Sequence, residues 1–337
     1  VKKVGETPRI FLNGKQIFQM GPLDQGWWPD GLYTAPSDEA LLFDIKAMKA
    51  LEFNMIRKHI KIEPARWYMH CDREGILVWQ DLPSPNLPSG YEDYAKKNFE
   101  DESKRIITAF RNHPSIIQWV VFNEGWGQFD TERMTQIVIG EVGQSLVCCA
   151  SGWVDAPIGD IKDSHSYPNP SCPLDETRAG VCGEYGGITL KVQGHIWPGG
   201  DFQYTTVETG KDFTVLFNNL ADKVIDHYYY GLNAAVYTQL SDVEIEKNGI
   251  YTYDRRVLKP YSATGELKTK IEECINLPQS GIKVRPILST AKEHKYKWRY
   301  ITSSDVPRRW LPKSSTTAPG RKEKPHLVAP PYGMGQT

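Results

Sequence analysis

The sequence alternates between short apolar runs and segments with helical spacing for most of its length. The runs are rich in β-branched and aromatic residues, and each ends in a polar or charged residue. Eight such strand-then-helix units, with no series of hairpins after the first residues, indicate a parallel sheet, and eight parallel strands can close into a (β/α)8 TIM barrel. A doubly wound open sheet is the competing architecture, but no GxGxxG or P-loop spacing supports a nucleotide site in it. The sequence therefore predicts an α/β fold of the TIM-barrel type.

The predicted elements follow from local signals. An Asn13-Gly14 turn predicts a hairpin within residues 9–21, and the second arm of this hairpin would be the first barrel strand. Ser37 should cap the first helix, and Pro64 and Gly75 should begin and end the second. The other strands are predicted at residues 54–59, 76–81, 116–122, 147–151, 161–165, 181–184 and 234–240. The later helices are predicted at residues 92–112, from 130 onwards, at 211–230 and between 260 and 274.

Composition and the distribution of charge along the chain indicate the domain organisation. Of the 337 residues, 40% are hydrophobic and 24% are charged, which is typical of a globular protein and excludes disorder of the whole chain. We assign residues 1–285 to one barrel domain. Residues 286–337 carry ten Lys/Arg against three Asp/Glu and lack periodic apolar residues, which predicts an irregular tail or the truncated start of a following module. A nucleic-acid-binding arm is the alternative for this segment, but short charge runs are usually solvated surface.

Charge and cysteine usage limit the partners. The formal net charge of −1 gives no electrostatic reason to expect nucleic acid or an anionic membrane. The six cysteines show no CxxC or Cys/His ligand spacing, so we expect core thiols and no structural zinc, and no cofactor is predicted. No apolar run approaches the length of a membrane span, and residues 1–3 are not followed by a signal-peptide core, which predicts a soluble chain. The oligomeric state and the native compartment stay open, a secreted or periplasmic location included.

Two glutamates stand out at predicted strand tips. The run at residues 116–122 ends at Asn123-Glu124 and then turns through two glycines, and Glu184 ends the seventh strand. The C-terminal tips of TIM-barrel strands carry the chemistry, so these two carboxyl groups would face one another across the mouth. Hydrolysis of a glycosidic bond with retention uses such a pair about 5–5.5 Å apart, one as nucleophile and one as acid and then base. Taken alone, Glu124 would equally well cap a helix or pair with an arginine.

Further polar and aromatic residues fall at the strand tips or in the adjoining loops. Arg57 and Tyr167 would hold Glu184 ionised, and a dry environment beside Trp126 would raise the pKa of Glu124. Taken alone, an arginine such as Arg57 is more often structural, and a buried histidine is more often part of the core. The residues expected around the substrate are Asp24, Arg57, His59, Asp81, Asn123, Trp126, Trp153, His165, Tyr167, Trp197 and Gln239.

Motifs in a fixed order resemble the catalytic barrel of glycoside hydrolase family 2, the family of β-galactosidases, β-glucuronidases and β-mannosidases. The motifs are FLNGK at 11–15, IRKH at 56–59, WY at 67–68, CDREG at 71–75, NHPSI at 112–116, NE at 123–124, SHSYP at 164–168 and GEYG at 183–186. The resemblance covers residues 8–285. It implies that Glu124 is the acid/base and Glu184 the nucleophile. It also implies that Asn123 binds the sugar 2-hydroxyl and that Arg57, His165 and Tyr167 surround the nucleophile.

The chain departs from the family pattern at three points. Members with a magnesium site carry a Glu and a His just after strand three, whereas here Asp81 is followed by Leu82-Pro83-Ser84, so no metal site is predicted. The tryptophan that usually ends strand eight is replaced by the sequence YTQL at 237–240. The family's N-terminal sugar-binding and immunoglobulin-like domains do not precede this barrel, so we expect a catalytic-domain fragment.

Three functions are compatible with these patterns. The first is a retaining exo-β-glycosidase acting on an oligosaccharide or glycoside, with β-galactosides first by family frequency. Glucuronides are disfavoured, because the Asn-x-Lys pair that holds their carboxylate in relatives occurs here only at Asn13-Gly14-Lys15, in the N-terminal turn. The second is a weak or inactive carbohydrate-binding barrel fragment. The third, a metal-dependent barrel hydrolase, would draw its ligands from Asp81, His59 and His165.

Overall fold

Eight parallel strands close a barrel in the computed structural model of the chain, which describes residues 1–85, 92–261 and 265–279. Each strand pairs with its neighbours in sequence, and the first pairs with the eighth. This confirms the predicted TIM barrel and brings all eight C-terminal tips to one mouth. The strands are β1 (Gln19–Asp24), β2 (Met55–Lys58), β3 (Leu77–Asp81), β4 (Ile116–Asn123), β5 (Leu146–Ser151), β6 (Ile161–Ser166), β7 (Ala179–Gly186) and β8 (Ala234–Thr238).

The described part of the chain contains six α-helices. As predicted, the Ser37 hydroxyl accepts the N–H of Ala40 at 3.2 Å, and Gly75 ends the second helix in the left-handed region. The helices are α1 (Asp38–Ala50), α2 (Ala65–Glu74), α3 (Asp93–Phe110), α4 (Thr131–Val142), α5 (Gly210–Tyr230) and α6 (Glu266–Ile275), and a 3-10 turn follows at Leu277–Gln279.

The expectation of a helix after every strand is wrong for β5 and β6. Residues 152–160 and 167–178 connect these strands to the next ones without a helix. The first connection is short and has glycines at both ends, and the second contains Pro168, Pro170 and Pro173. The first connection also contains Pro157. Proline lacks the N–H that a helix interior needs and clashes with the preceding turn, so neither segment can form several helical turns.

Short antiparallel pairs precede the barrel. Lys2–Val4 pairs with Thr7–Arg9, and Phe11–Leu12 pairs with Lys15–Gln16 around the Asn13-Gly14 turn. The predicted hairpin is therefore present, but its second arm is not the first barrel strand. The N–H of Ile17 still bonds back to the Ile10 carbonyl at 3.1 Å, and β1 begins only at Gln19. A short parallel pair, Ile188–Thr189 with Thr205–Thr206, lies in the loop after β7.

The barrel interior is filled by side chains that alternate along the strands. Residues on one face of each strand form an apolar cluster inside the ring, and their neighbours in sequence pack against the helices. The interior cluster includes Leu23, Met55, Trp79, Val120, Cys148, Ile161, Val181 and Val236. The polar strand tips therefore lie above a closed apolar layer.

Two further expectations concern the C-terminal tail and the absence of a membrane-spanning segment. The predicted irregular tail at residues 286–337 lies outside the described residues. Among the helices that the structure describes, none combines the length and the apolar character that crossing a membrane would require.

Candidate active site

Glu124 lies immediately after β4, where the backbone changes direction. Its N–H donates to the Ser151 carbonyl of β5 at 2.8 Å, and its φ of +54° is in the left-handed region. That conformation costs free energy for a residue with a Cβ, and such costs concentrate at functional positions. The glycines at 125 and 127, both with positive φ, complete the turn. The side chain stays 20% exposed at the mouth.

Glu184 lies near the end of β7, and its side chain is 8% exposed. Arg57 Nη1 donates to Oε1 at 3.2 Å, and the Tyr167 hydroxyl donates to Oε2 at 2.5 Å. A carboxylate oxygen of Glu184, one of Glu124 and a ring nitrogen of His165 all lie within 4.8 Å of one another. The structure thus brings the two glutamates together at the mouth.

Arg57 connects the tips of several strands from a fully buried position on β2. Its guanidinium donates to both oxygens of Asp81, at 3.2 and 2.8 Å, to Asn123 Oδ1 at 2.8 Å and to the Gly183 carbonyl at 3.1 Å. Burial opposes its charge, but the Asp81 and Glu184 carboxylates outweigh burial and raise the pKa of Arg57. Burial likewise opposes ionisation of Asp81, but Arg57 and His59 lower its pKa. The arginine is therefore both a partner of Glu184 and a structural centre.

His165 on β6 contacts the other glutamate. Its ring is fully buried, with Nδ1 2.7 Å from Glu124 Oε1 and Nε2 2.7 Å from Ser151 Oγ. Burial lowers the pKa of His165 to about 4, so the ring is neutral at pH 7. Burial raises the pKa of Glu124, and the electrostatic influence of His59 and Arg57 only partly opposes this. Glu124 therefore holds its proton to a higher pH than an exposed glutamate.

Three other predicted polar residues are held by protein partners. Asp24 accepts hydrogen bonds from Lys58 Nζ at 2.5 Å and from the Gly26 N–H at 2.8 Å. Gln239 donates to Glu246 and Asn248. His59 Nδ1 lies 3.3 Å from Asp81 Oδ2 and 4.0 Å from Glu184 Oε1. A contact of any of these residues with a substrate stays a prediction.

The three predicted tryptophans differ in position. Trp153 is 63% exposed and lies edge-on to the His165 ring with the centroids 5.8 Å apart. Trp126 follows Glu124 by two residues and is 40% exposed. Trp197 packs edge-on against Tyr253, with the centroids 5.4 Å apart. Trp153 therefore lies beside the glutamate cluster, through its contact with the His165 ring.

The site contains residues that the sequence analysis did not select. Tyr204, from the loop after β7, stacks face to face on Tyr167 with the centroids 3.8 Å apart. The Thr238 hydroxyl of β8 lies 2.7 Å from the Tyr167 hydroxyl. Ser151 and Asp163 extend the contacts of His165 into the barrel. Asp163 had a signal, because residues two apart in a strand share a face and Asp163 precedes His165 by two. Tyr204 had none, because a loop pattern does not indicate what it covers.

The spacing of the cluster bears on the metal-dependent alternative. Within the described ranges, Glu124, His165 and Glu184 form the group whose spacing would also admit a metal ion. The hydrogen bond between His165 and Glu124 accounts for their short distance, and Glu184 is held by Arg57 and Tyr167, so we interpret the three residues as parts of a hydrogen-bonded protein network and not as metal ligands. Asp81 and His59, the other ligand candidates, belong to the ion-pair network of Arg57.

Comparisons with known proteins agree with this fold. Residues 7–152 match the family model described as glycosyl hydrolases family 2, TIM barrel domain. A β-galactosidase from Lactococcus lactis is 30% identical over 140 residues, which cover 37% of this chain and 14% of that protein. A putative β-glucuronidase from Formosa agariphila is 31% identical over 121 residues, covering 34% of this chain and 11% of that protein. The chain therefore matches only a small part of the length of these relatives.

A solved structure extends the likeness across the barrel. The family 2 β-galacturonidase from Eisenbergiella tayi bound to galacturonate superposes with a TM-score of 0.65, over 80% of this chain and 53% of that one. The sequence identity is 17%, so this likeness shows the fold alone. The family model ends at residue 152, short of the 8–285 span that the motifs indicated, and Glu184 lies beyond it. The role of Glu184 therefore depends on the geometry of the site.

Proposed function

Because residues 7–152 of this chain carry the TIM-barrel domain of glycoside hydrolase family 2, we propose that the barrel is the catalytic domain of a retaining exo-β-glycosidase. In the first step Glu184 attacks the anomeric carbon while Glu124 protonates the departing glycosidic oxygen, which gives a covalent glycosyl-enzyme and a free alcohol. In the second step water attacks the anomeric carbon, Glu124 takes a proton from that water, and the bond to Glu184 breaks.

The observation that carries this proposal is the approach of the two carboxyl groups. A Glu124 oxygen and a Glu184 oxygen lie within 4.8 Å of one another. An inverting enzyme needs its carboxyl groups roughly 6.5–9.5 Å apart to admit a water between one of them and the sugar, whereas direct attack needs about 5–5.5 Å. The nearest oxygens of the two groups are thus closer together than the shorter of these group separations, which favours direct attack and therefore retention.

The surroundings of the two glutamates support unequal roles. Both oxygens of Glu184 accept hydrogen bonds, from Arg57 and from Tyr167, which suits a fixed carboxylate nucleophile. Glu124 has its pKa raised by burial, which suits a group that must carry a proton into the first step. We therefore assign Glu184 as the nucleophile and Glu124 as the acid/base.

The environment of Arg57 favours a neutral sugar. A uronic acid needs a cation for its carboxylate, and the guanidinium of Arg57 already donates to Asp81, Asn123, Gly183 and Glu184. The only Asn-x-Lys spacing in the sequence lies in the hairpin before the start of β1, at the end of the barrel opposite the mouth. These features, with the β-galactosidase among the relatives, support β-galactosides as substrates, and β-glucuronides are the second candidate because of the putative β-glucuronidase.

A panel of nitrophenyl glycosides tests the proposal. We expect hydrolysis of the β-galactoside above that of the β-glucuronide and β-galacturonide, and no hydrolysis of the α-galactoside. Proton NMR of the first product should show the β-anomer before mutarotation, and EDTA should leave the rate unchanged. Glu124→Gln and Glu184→Gln provide the variants that must lose activity.

Each other outcome has a definite meaning. A first product of α configuration would overturn retention, and loss of rate with EDTA would support the metal-dependent alternative. Binding of galactose without turnover of any glycoside would favour the carbohydrate-binding alternative. Activity that survives in both glutamine variants would show that the active site lies elsewhere.

A further inference from the structure

Four polar side chains form an unbroken line from the barrel interior to the mouth. Asp163 Oδ2 lies 2.6 Å from Ser151 Oγ, which lies 2.7 Å from His165 Nε2. On the other side of the same ring, Nδ1 lies 2.7 Å from Glu124 Oε1. Asp163 is 4% exposed, Ser151 and the His165 ring are fully buried, and the Glu124 side chain is 20% exposed. The line thus joins the acid/base to a carboxyl group inside the barrel.

The number of available protons restricts this line to two arrangements. Ser151 has one hydroxyl proton and lies between two possible acceptors, so it donates either to Asp163 or to His165. The Gly183 N–H donates to Asp163 Oδ1 at 2.6 Å, which leaves Oδ2 as the oxygen that faces Ser151. A neutral imidazole carries one N–H and one lone pair. Its tautomer must therefore follow the direction in which Ser151 donates.

In the first arrangement Asp163 is ionised and Glu124 is protonated. Ser151 donates to Asp163, His165 donates from Nε2 to Ser151 Oγ, and Nδ1 accepts the Glu124 proton. In the second arrangement the protonated Asp163 donates to Ser151, Ser151 donates to Nε2, and Nδ1–H donates to an ionised Glu124. The two interconvert when three protons each move across one hydrogen bond, so one carboxyl group gains a proton as the other loses one.

We propose that Ser151 and His165 form a proton relay through which Asp163 shares one proton with Glu124, which makes Asp163 a positioning residue for the acid/base. The catalytic consequence rests on the proposed glycosidase function. The two carboxyl groups then titrate as a pair, and the pH at which Glu124 loses its proton depends on the protonation of Asp163.

The titration properties of the groups fit such a relay. Burial raises the pKa of Asp163 to about 7, so a proton on Asp163 is accessible near neutral pH. Burial also raises the pKa of Glu124, which brings the two carboxyl groups toward a common range. The pKa of His165, lowered to about 4 by burial, keeps the ring neutral, and only a neutral ring has a free lone pair to accept a proton at one nitrogen while it releases the proton on the other.

Other charged groups face the relay at longer distances. Arg57 Nη1 lies 3.4 Å from His165 Nε2, and Glu184 Oε2 lies 3.6 Å from Nδ1, both longer than the relay contacts of 2.6–2.7 Å. Ser151 is therefore the closer partner of Nε2, and Glu124 the closer partner of Nδ1. Further titratable neighbours of the relay are His59, Asp81, Tyr167, Tyr204, Cys148 and Cys182.

Asp163→Asn fixes the relay in the second arrangement. The Gly183 N–H requires the asparagine oxygen, so the amide nitrogen must face Ser151 and donate to it. Ser151 then donates to His165, and Nδ1–H donates permanently to Glu124. A hydrogen bond to the ionised form lowers a pKa, so the alkaline limb of the kcat/KM profile should move to lower pH by roughly one unit. Circular dichroism and the melting temperature establish that the variant is folded.

A double-mutant cycle separates the relay from the simple loss of a negative charge. Ser151→Ala interrupts the line but leaves Asp163 and Glu124 in place. If the relay transmits the effect, Asp163→Asn should cause no further shift of the alkaline limb in the Ser151→Ala background. A shift of the same size in both backgrounds would mean that the charge acts through space, and this would overturn the proposal.

Nitrogen NMR of the imidazoles tests the same relay without any turnover. The His165 signals are assigned by their loss in His165→Gln. We expect the Nδ1–H tautomer to be fixed in Asp163→Asn at every pH above the His165 pKa of about 4, whereas the wild type carries the Nε2–H tautomer while Glu124 is protonated. The same tautomer in wild type and Asp163→Asn would overturn the relay. Because this readout needs no substrate, it can fail or succeed independently of the glycosidase assignment.

Ser151→Ala keeps the inference testable if Asp163→Asn does not fold. Without the hydroxyl, the ionised Asp163 no longer favours the Nε2–H tautomer, so Nδ1–H should dominate and the alkaline limb should again move to lower pH. A profile and a tautomer unchanged from wild type would overturn the relay.

Discussion

At the scale of single residues, the proposed mechanism assigns the nucleophile to Glu184 and the acid/base to Glu124, and substitution of each should separate these two proposed roles. Glu184→Ala removes the nucleophile, so every substrate should fail alike. Glu124→Ala removes proton transfer, a contribution of about 10²–10⁴-fold, but a dinitrophenolate leaving group hardly needs a proton. Glu124→Ala should therefore retain the first step with dinitrophenyl glycosides, and azide should accelerate its turnover to a β-glycosyl azide. Azide rescue with retention in Glu184→Ala, and uniform loss in Glu124→Ala, would mean that the roles are exchanged.

The pH profile of the wild type provides a second test at this scale. In its proposed role as the acid, Glu124 acts only while protonated, so kcat/KM should fall as the pH rises through its pKa. Burial raises that pKa, so the active protonated form persists to higher pH and the alkaline limb should lie above the ordinary glutamate value of about 4.3. The limb should weaken for a dinitrophenyl glycoside, which needs no proton. Identical limbs for phenyl and dinitrophenyl glycosides would contradict the acid role of Glu124.

The sequence predicted the residues at the strand tips better than the residues beneath them. Glu124, Arg57 and His165 follow from strand ends, because a polar residue there interrupts an apolar run. Asp163 lies inside β6, where its carboxyl group is stabilised by Ser151 and the Gly183 N–H and by the nearby charge of Arg57 on β2. Those partners come from β5, β7 and β2, and a single strand pattern does not contain them.

At the scale of elements, the strands were predicted more accurately than the connections. An apolar run long enough to form a barrel strand must be buried, so the sequence itself indicates where the strand lies. A connection can span the same distance with or without a helix. The prolines between β6 and β7 were a local signal against a helix, and the alternation of the rest of the chain outweighed it in the prediction. The left-handed glycine at the end of α2 was predicted correctly, because its position after the last helical residue is sufficient to identify it.

Two glycines on helices should respond to alanine with opposite signs. Gly75 ends α2 with a φ of +69°, and an added Cβ would meet nothing closer than Lys49 Nζ at 4.0 Å, so Gly75→Ala should destabilise by about 1 kcal/mol through backbone strain alone. Gly140 lies within α4, and an added Cβ would have open space. Gly140→Ala should therefore stabilise by about 0.5–1 kcal/mol. Urea unfolding measures both changes, and equal signs would contradict the assignment of the two backbones.

At the scale of the whole molecule, closing the ring brings together parts of the chain that no local pattern relates. Asp44 on α1 binds Arg255, from the segment between β8 and α6, through two contacts of 3.2 and 3.1 Å. Arg255 also donates to the Trp27 carbonyl and lies over the Trp28 ring at 4.0 Å. The pair therefore joins the first strand-helix unit to the last. Its partners are 211 residues apart, so no local sequence pattern pairs them.

This pair should contribute to stability chiefly through the penalty for breaking it. Both side chains are about 5% exposed, so Asp44→Leu leaves a guanidinium buried without its carboxylate and should cost about 3–5 kcal/mol. Adding Arg255→Met to Asp44→Leu should recover part of that loss, because the uncompensated charge is then removed. The exposed pair of Lys97 and Asp101 on α3 is the matched control, and Asp101→Ala should cost less than about 1 kcal/mol. Urea unfolding distinguishes these cases. A cost for Asp44→Leu no larger than for Asp101→Ala would show that the ring closes without this ion pair.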